Sequence, residues 1–506
     1  MNVDKTTCAS PDSTEAWDQI DWKQFQKRVK KLQARIVKAT ADGRWNKVQA
    51  LQHLLTHSRS AKALAVKRVT ENQGKNTSGV DGVLWSTKKS KFEAISTLRQ
   101  RGYRPQPLRR IYIPKADSKK MRPLSIPTMK DRAMQTLYRF ALEPVAETTG
   151  DPNSYGFRTA RSTHDAIGQC FTCLSQKTGA QWVMEGDIKG AFDNVSHEWI
   201  MDNIPINKGI LNKFLKSGYV DMGKLFPTDQ GTGQGSAISP VLFNMVLDGM
   251  ESQIIQKAKE IKRRDRINPK VHFCRYADDF IVTGCSREIL EQEIKPVIEE
   301  FLSLRGLHLS EEKTVITHID EGFDFLGWNV RKYKGKLLTK PAKKKTIAFL
   351  NRVRNVIKNN KTATQENLIN MLNPMIRGWA QYHCRVSASR TYSWVDHQIW
   401  SCLWQWAKQR HPDKSKKWIK DKYFHSMGGR NWVFGVRIDP ERQESDKKYR
   451  TLYTTASTKI KRHVKVMSEL NPFDSNWWGY LENRRNHKYI TTDEDTNLQC
   501  SRSYTA

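Results

Sequence analysis

The stretch HFCRYADDFIVTG, residues 272 to 284, sets two adjacent carboxylates, Asp278 and Asp279, between two runs of strand-forming residues. HFCRY before the pair and FIVTG after it can each extend, so the aspartates are expected at the turn of a β-hairpin, both projecting from one rigid element. Like charges this close are costly unless a cation neutralises them, and hard carboxylate oxygens with water to spare suit Mg²⁺. A third carboxylate, Asp187, ends the strand-like run AQWVMEGDI at 180–188. Brought alongside on a neighbouring strand, it completes a set able to bridge two Mg²⁺ ions. Such a set suits in-line phosphoryl transfer, in which one ion lowers the pKa of an attacking hydroxyl and the other stabilises the leaving oxygen. An isolated Asp–Asp pair is more often a plain solvated turn, so the surrounding chain has to decide.

That chain has 506 residues, enough for several cored domains at roughly 100–200 residues each. Lys and Arg number 86 against 52 Asp and Glu, a formal net charge of +34 spread along most of the length. A polyanionic partner is expected, because each phosphate neutralised releases condensed counterions. The 16 Trp, interleaved with Arg and Lys, suit bases as well as phosphates. Only Cys170 and Cys173 stand close together among the eight cysteines; with no second pair to complete a zinc site, they read as packing residues of a reducing compartment. No apolar run approaches the ~20 residues of a membrane span, and the acidic N-terminus lacks a signal core, which predicts a cytoplasmic protein with no membrane partner.

Residues 17 to 72 read as two basic amphipathic helices about the break ADGRW: Trp22, Phe25, Val29, Leu32 and Ile36 repeat at helical spacing, then Val48, Leu51, Leu54 and Leu55. From about 84 to 335 helices and short strands alternate irregularly, the pattern of an α+β domain. RRIYIPK and MRPLSIP read as a basic hairpin turning at Asp117 and Ser118, and Ser196 as an N-cap with Glu198 in the first helical turn. Beyond about 338 the chain becomes helical and basic, then aromatic, with Trp400, Leu403 and Trp404 on a buried stripe.

YADD (276–279), DIKGAFDNV (187–195), GTGQGSAISPVLFNMVL (231–247), LHLSEEKT (307–314) and FDFLGWNV (323–330) together resemble the palm motifs of a group II intron reverse transcriptase. YGFRTARSTHDAI (155–167) and GVDGV (79–83) resemble that family's fingers region, and NPMIRGWAQYHCRV (373–386) its maturase or thumb domain. The resemblance implies an α+β right-hand polymerase, with fingers and palm at 74–338 after a helical extension at 1–73. An α-helical thumb or maturase domain at 339–430, a basic DNA-binding-like region at 431–485 and a disordered tail at 486–506 would follow.

The same likeness implies RNA-directed DNA synthesis, with Asp187, Asp278 and Asp279 catalytic. Together with Ile188 they would hold two Mg²⁺ ions, for which Mn²⁺ could substitute. Lys115, Arg122, Ile188, Phe192, Gln234 and Lys313 are the expected nucleotide-binding residues. Phe192 would close over the sugar and reject a 2′-hydroxyl, Lys115 and Arg122 would clamp the triphosphate, and Lys313 would support the palm or the triphosphate. The glycines of TGQGSAISP are expected where backbone approaches a nucleotide or primer–template. Lys343, Lys344, Lys345, Arg352, Arg377 and Arg385 are expected to bind nucleic acid.

The implied partners are structured intron RNA, whose splicing the protein would assist by stabilising its fold, an RNA template with a DNA or RNA primer, target DNA and dNTPs; the oligomeric state stays open, a dimer included. STKIKRHVKV resembles the start of a DNA-binding region that many members follow with a cysteine-rich endonuclease. After Cys402 only Cys500 remains, so no second-strand cleavage is expected. Two other readings are a domesticated or defence-associated polymerase without an intron partner and a splicing-only RNA-binding maturase. The intact carboxylates, Phe192 and Gln234 weigh against the last.

Overall fold

The computed structural model describes residues 13–114, 121–438 and 448–489. They form two compact units. The first comprises the residues up to 169, 182–316 and those from 466; the second comprises 170–181 and 317–465. This division falls at 316/317 rather than near 338, and the expected basic region at 431–485 is shared between the units.

The first unit opens with four helices where two were expected: Ser13–Asp18, Trp22–Ala41, Trp45–His57 and Arg59–Glu71. The break lies at Ser58, which is extended at ψ 133° and caps the following helix by accepting from Ala61 N. Apolar spacing hides this break, because Val48, Leu51 and Leu55 before it and Ala61, Ala65, Val66 and Val69 after it are all buried. Leu54, expected on the buried stripe, is instead 53% exposed. These helices pack on the helix Met129–Thr149, where Gln33 donates to the Phe140 carbonyl and Gln52 to that of Ala141.

Strands β1 (Leu108–Pro114) and β2 (Met121–Ile126) form the expected antiparallel hairpin, with Ile113 opposite Arg122. Its turn, including Asp117, Ser118 and Lys115, lies outside the described residues. β3 (Trp182–Asp187) ends at Asp187 as its sequence suggests, and Ser196 caps the helix His197–Asn203 by accepting from Trp199 N. β4 (Tyr219–Asp221) adds parallel to β1, and β5 (Lys224–Phe226) folds back on β4. β6 (Phe273–Tyr276) and β7 (Asp279–Gly284) form a second antiparallel hairpin, which joins β3 through β7, with β8 (Val315–His318) next in that sheet. Met184, Phe273, Phe280 and Val282 bury against the core that contains Phe243 and Val246 of the helix Ser239–Leu247.

Residues from 466 onward rejoin this unit through buried polar groups. Asp165, fully buried, accepts from Val466 N at 2.8 Å and from Arg484 Nη2 at 2.7 Å. Arg161, 1% exposed, donates to the carbonyls of Ser468 and Leu470, and Asn471 donates to the Thr148 hydroxyl. The helix Trp478–Tyr489 therefore takes up the first residues of the expected tail.

In the second unit β9 (Phe323–Phe325), β10 (Trp328–Tyr333) and β11 (Lys336–Pro341) make an antiparallel meander. Helices Lys343–Asn359, Gln365–His383, Ser389–Arg410 and Lys416–Tyr423 follow, then β12 (Phe424–Met427), β13 (Arg430–Arg437) and β14 (Tyr449–Thr451). Their core gathers Phe349, Leu372, Ile399, Leu403 and Trp406. Trp400 and Trp404 lie parallel, 6.3 Å apart, both edge-on to Trp432, so the aromatic stripe is mainly packing. Among the described residues no helix is long and apolar enough to cross a membrane.

Candidate active site

Strand register brings the three carboxylates together. Asp187 at the end of β3 lies directly opposite Asp279, the first residue of β7, and Asp279 also pairs with Tyr276 of β6. The hairpin turn is thus Ala277 and Asp278: only one aspartate of the pair occupies it, while the other begins a strand. Directly opposed residues of an antiparallel pair point to the same face, with Cβ atoms roughly 4.5–5.5 Å apart. Ala277 is held at φ 58°, a left-handed conformation that costs a non-glycine residue roughly 1–2 kcal/mol.

Burial raises the Asp278 carboxyl above the ordinary range, and the Asp187 charge adds to this; Arg122 and Lys313 pull the other way. The charge of Arg122 on β2 thus acts on Asp278, as does that of Lys313. Lys313 Nζ stands 2.7 Å from Asp187 Oδ2, and this bond, with the charges of Asp279 and Asp278, holds its ammonium above the usual lysine range. Lys313 is delivered by the segment LHLSEEKT, which is laced to the end of β3: Ser310 N donates to Asp187 O, Lys189 N to His308 O, and Ile188 bridges Leu309. Ile188 buries its side chain, so only its main-chain carbonyl, which neither bond uses, can serve a ligand.

Among the described residues no three carboxylate, imidazole or thiolate groups converge into a metal-binding cluster as they stand. The donor set nonetheless suits a hard divalent ion: three carboxylates, two of them in register, with an ammonium already in the place of a cation.

Comparison with known proteins decides the family. Residues 113–330, which include all three carboxylates, match "Reverse transcriptase (RNA-dependent DNA polymerase)". Residues 17–98 match the "N-terminal domain of reverse transcriptase" and residues 347–424 the "Group II intron, maturase-specific domain". Protein YkfC of Escherichia coli (strain K12) is 33% identical over 319 residues, 56% of this chain and 82% of its own. The group II intron-encoded protein LtrA of Lactococcus lactis subsp. cremoris is 32% identical over 331 residues, 53% of this chain and 54% of its own, so the match spans about half of LtrA. Maturase-like protein 1 of Euglena gracilis is 25% identical over 72% of this chain and 76% of its own. The chain belongs to the group II intron reverse transcriptases.

In this reverse transcriptase Phe192 follows the Gly190 turn beyond β3, stacks on Phe243 at 4.5 Å and meets Phe157 edge-on at 6.1 Å. Half-buried, it packs against the core of the first unit. Its carbonyl accepts from Thr232 N, and the Gln234 carbonyl accepts from Ser125 N, both at 2.7 Å, so the GTGQGSAISP loop is tied to the Asp187 turn and to β2. Gly231 and Gly235 pass close to the protein's own backbone. A Cβ on Gly231 would come 2.5 Å from the Asp193 carbonyl oxygen, and one on Gly235, at φ 106°, 2.9 Å from that of Ser125. Sequence reasoning missed Arg275 within the β6–β7 hairpin and Asn244 and Gly156, which lie against it; the Arg directly before YADD was the one visible hint.

The remaining expected residues belong to the second unit. Lys343, Lys344 and Lys345 are exposed in the first turn of a helix that lacks a side-chain cap, where positive charge opposes the helix dipole and an anion is favoured. Arg352 is exposed, Arg377 lies 5.2 Å over the Tyr453 ring, and Arg385 reaches the Arg462 carbonyl at 3.5 Å.

Proposed function

We propose that this reverse transcriptase extends a primer on an RNA template with dNTPs, using two Mg²⁺ ions held by Asp187, Asp278, Asp279 and the Ile188 carbonyl. The observation that carries this reading is the in-register pairing of Asp187 with Asp279 beside the Asp278 turn, with Lys313 bonded to Asp187 and the charge of Arg122 acting on Asp278. When bound, the ions would activate the primer 3′-hydroxyl and stabilise departing pyrophosphate. Arg122 offers guanidinium donors to the triphosphate. Lys313 covers Asp187 until the site is loaded and then turns to the nucleotide. Phe192, braced by Phe243, resists displacement by a 2′-hydroxyl.

The maturase-specific match at 347–424 supports a second role, in which the basic helix from Lys343 binds structured intron RNA and stabilises its folded form, the RNA supplying the catalytic groups of splicing. Residues 339–430 would act as thumb and maturase domain, and the bacterial relatives favour a cytoplasmic site of action. The test is extension of a DNA primer on an RNA template, with Mg²⁺ and dNTPs, beside the Asp278→Ala variant. Extension by the wild type alone is expected; if neither protein extends, the chain is a splicing-only RNA-binding maturase.

A further inference from the structure

We propose that Asn244 and Arg275, together with the segment Asn153–Gly156, are positioning residues that set the Ala277–Asp278 turn for metal binding, an inference that rests on the polymerase reading above. The network grips the backbone that leads into the turn.

Arg275 lies two residues before Ala277 and is wholly buried. Its Nη2 meets Asp248 Oδ1 at 2.7 Å and its Nη1 meets Asn244 Oδ1 at 3.2 Å. Its main chain is gripped as well: Arg275 N donates to Asn153 O at 3.0 Å and Tyr155 N donates to Arg275 O at 2.9 Å, a parallel bridge centred on Ser154. Asn153 is fixed in turn, its backbone and side-chain amides both donating to Glu251.

Asn244 closes the ring. While its Oδ1 accepts from Arg275, its Nδ2 donates to the Gly156 carbonyl at 2.8 Å. Gly156 presses directly on the turn, since a Cβ there would stand 2.3 Å from Ala277 N. An amide is required at 244, because one group must donate to a carbonyl and accept from a guanidinium; a carboxylate of the same shape keeps only the acceptor. The adjacent residue, Phe243, stacks on Phe192, so the helix Ser239–Leu247 braces both the Asp187 side and the Asp278 side of the site. Misplacement of a reacting group by about 1 Å can cost on the order of a hundredfold in rate.

Two variants of the full chain perturb the turn by different means. Asn244→Asp removes the bond to Gly156, and Gly156→Ala pushes on Ala277 without changing any charge. For each we would measure thermal unfolding, template–primer affinity, single-turnover extension, and Mn²⁺ binding by electron paramagnetic resonance. Expected are a fall in kcat of roughly 10- to 100-fold per folded molecule, Mn²⁺ binding weakened severalfold, and dNTP KM and template–primer affinity within about twofold of wild type. Wild-type kcat and wild-type Mn²⁺ affinity in the folded variants would overturn the proposal, as would activity lost only in proportion to the unfolded fraction. Should Gly156→Ala not fold, Asn244→Asp alone decides. A wild type that binds Mn²⁺ but never extends a primer would sink the polymerase reading instead, and the Mn²⁺ affinities of the variants would still decide the positioning role.

Discussion

Replacing Lys313 by Met tests whether the ammonium on Asp187 competes with the metal. At an N–O distance of 2.7 Å the Coulomb attraction would be about 6 kcal/mol at an effective dielectric of roughly 20. The lysine side chain is 65% exposed, however, and solvent screening reduces such a pair to about 1 kcal/mol or less. Loss of the pair should therefore lower folding stability by no more than about 1 kcal/mol. Metal binding no longer has to displace that ammonium, so the Mg²⁺ concentration for half-maximal extension should fall, by up to about fivefold for 1 kcal/mol. The gain should shrink at high ionic strength, where the pair is already screened. Single-turnover extension across a Mg²⁺ series at two salt concentrations measures this apart from any change in maximal rate. An unchanged or increased Mg²⁺ requirement at both salts would show that Lys313 does not occupy the metal's place.

Three further outcomes are expected. Asp278→Ala should abolish dNTP incorporation while leaving RNA affinity within about twofold, because the RNA-facing charges expected in the second unit are untouched; a variant that still extends a primer removes Asp278 from the metal site. Phe192→Val should relax sugar discrimination by roughly 10-fold or more and, through the lost stack on Phe243, cost about 1–3 kcal/mol of stability; unchanged ribonucleotide exclusion returns Phe192 to packing alone. Burial, only partly offset by Arg275, pushes the Asp248 carboxyl up to about 6. The folded protein then holds this proton more tightly than the unfolded chain does at about 4, so the group's contribution is present below that value and lost as pH rises to about 6. Measured by denaturant unfolding, the stability difference between wild type and Asp248→Asn should shrink by about 2–3 kcal/mol across that window, and a flat difference refutes the assignment.

Local chemistry was legible in the sequence where the partners are close along the chain. The end of β3 at Asp187, the hairpin around Asp278 and the Ser196 cap depend on neighbours within a few residues, and each stands where its residues predict. Family likeness supplied what locality could not, namely that Asp187 and Asp279 meet across a separation of 92 positions (279 − 187). The break at Ser58 escaped notice because the apolar stripe continues through it. Asp165 with Arg484, and Arg275 with Asp248, escaped for another reason: buried ion pairs look like any other charges in a chain carrying 138 of them (86 + 52). Only three-dimensional packing separates the few that are dehydrated from the many that face water.

The return of residues 466–484 to the first unit has a consequence for synthesis. Asp165 meets Val466 across 301 positions, an interval that takes a ribosome about 15–60 s at ~5–20 residues per second. Asp187, Asp278 and Asp279 are all made within the first 114 of those positions (279 − 165), after which the surface around Arg161 and Asp165 still waits for the segment that will cover it. Folding of this unit cannot finish from the N-terminus forward, and the unclosed surface is open to chaperones until translation has passed residue 484.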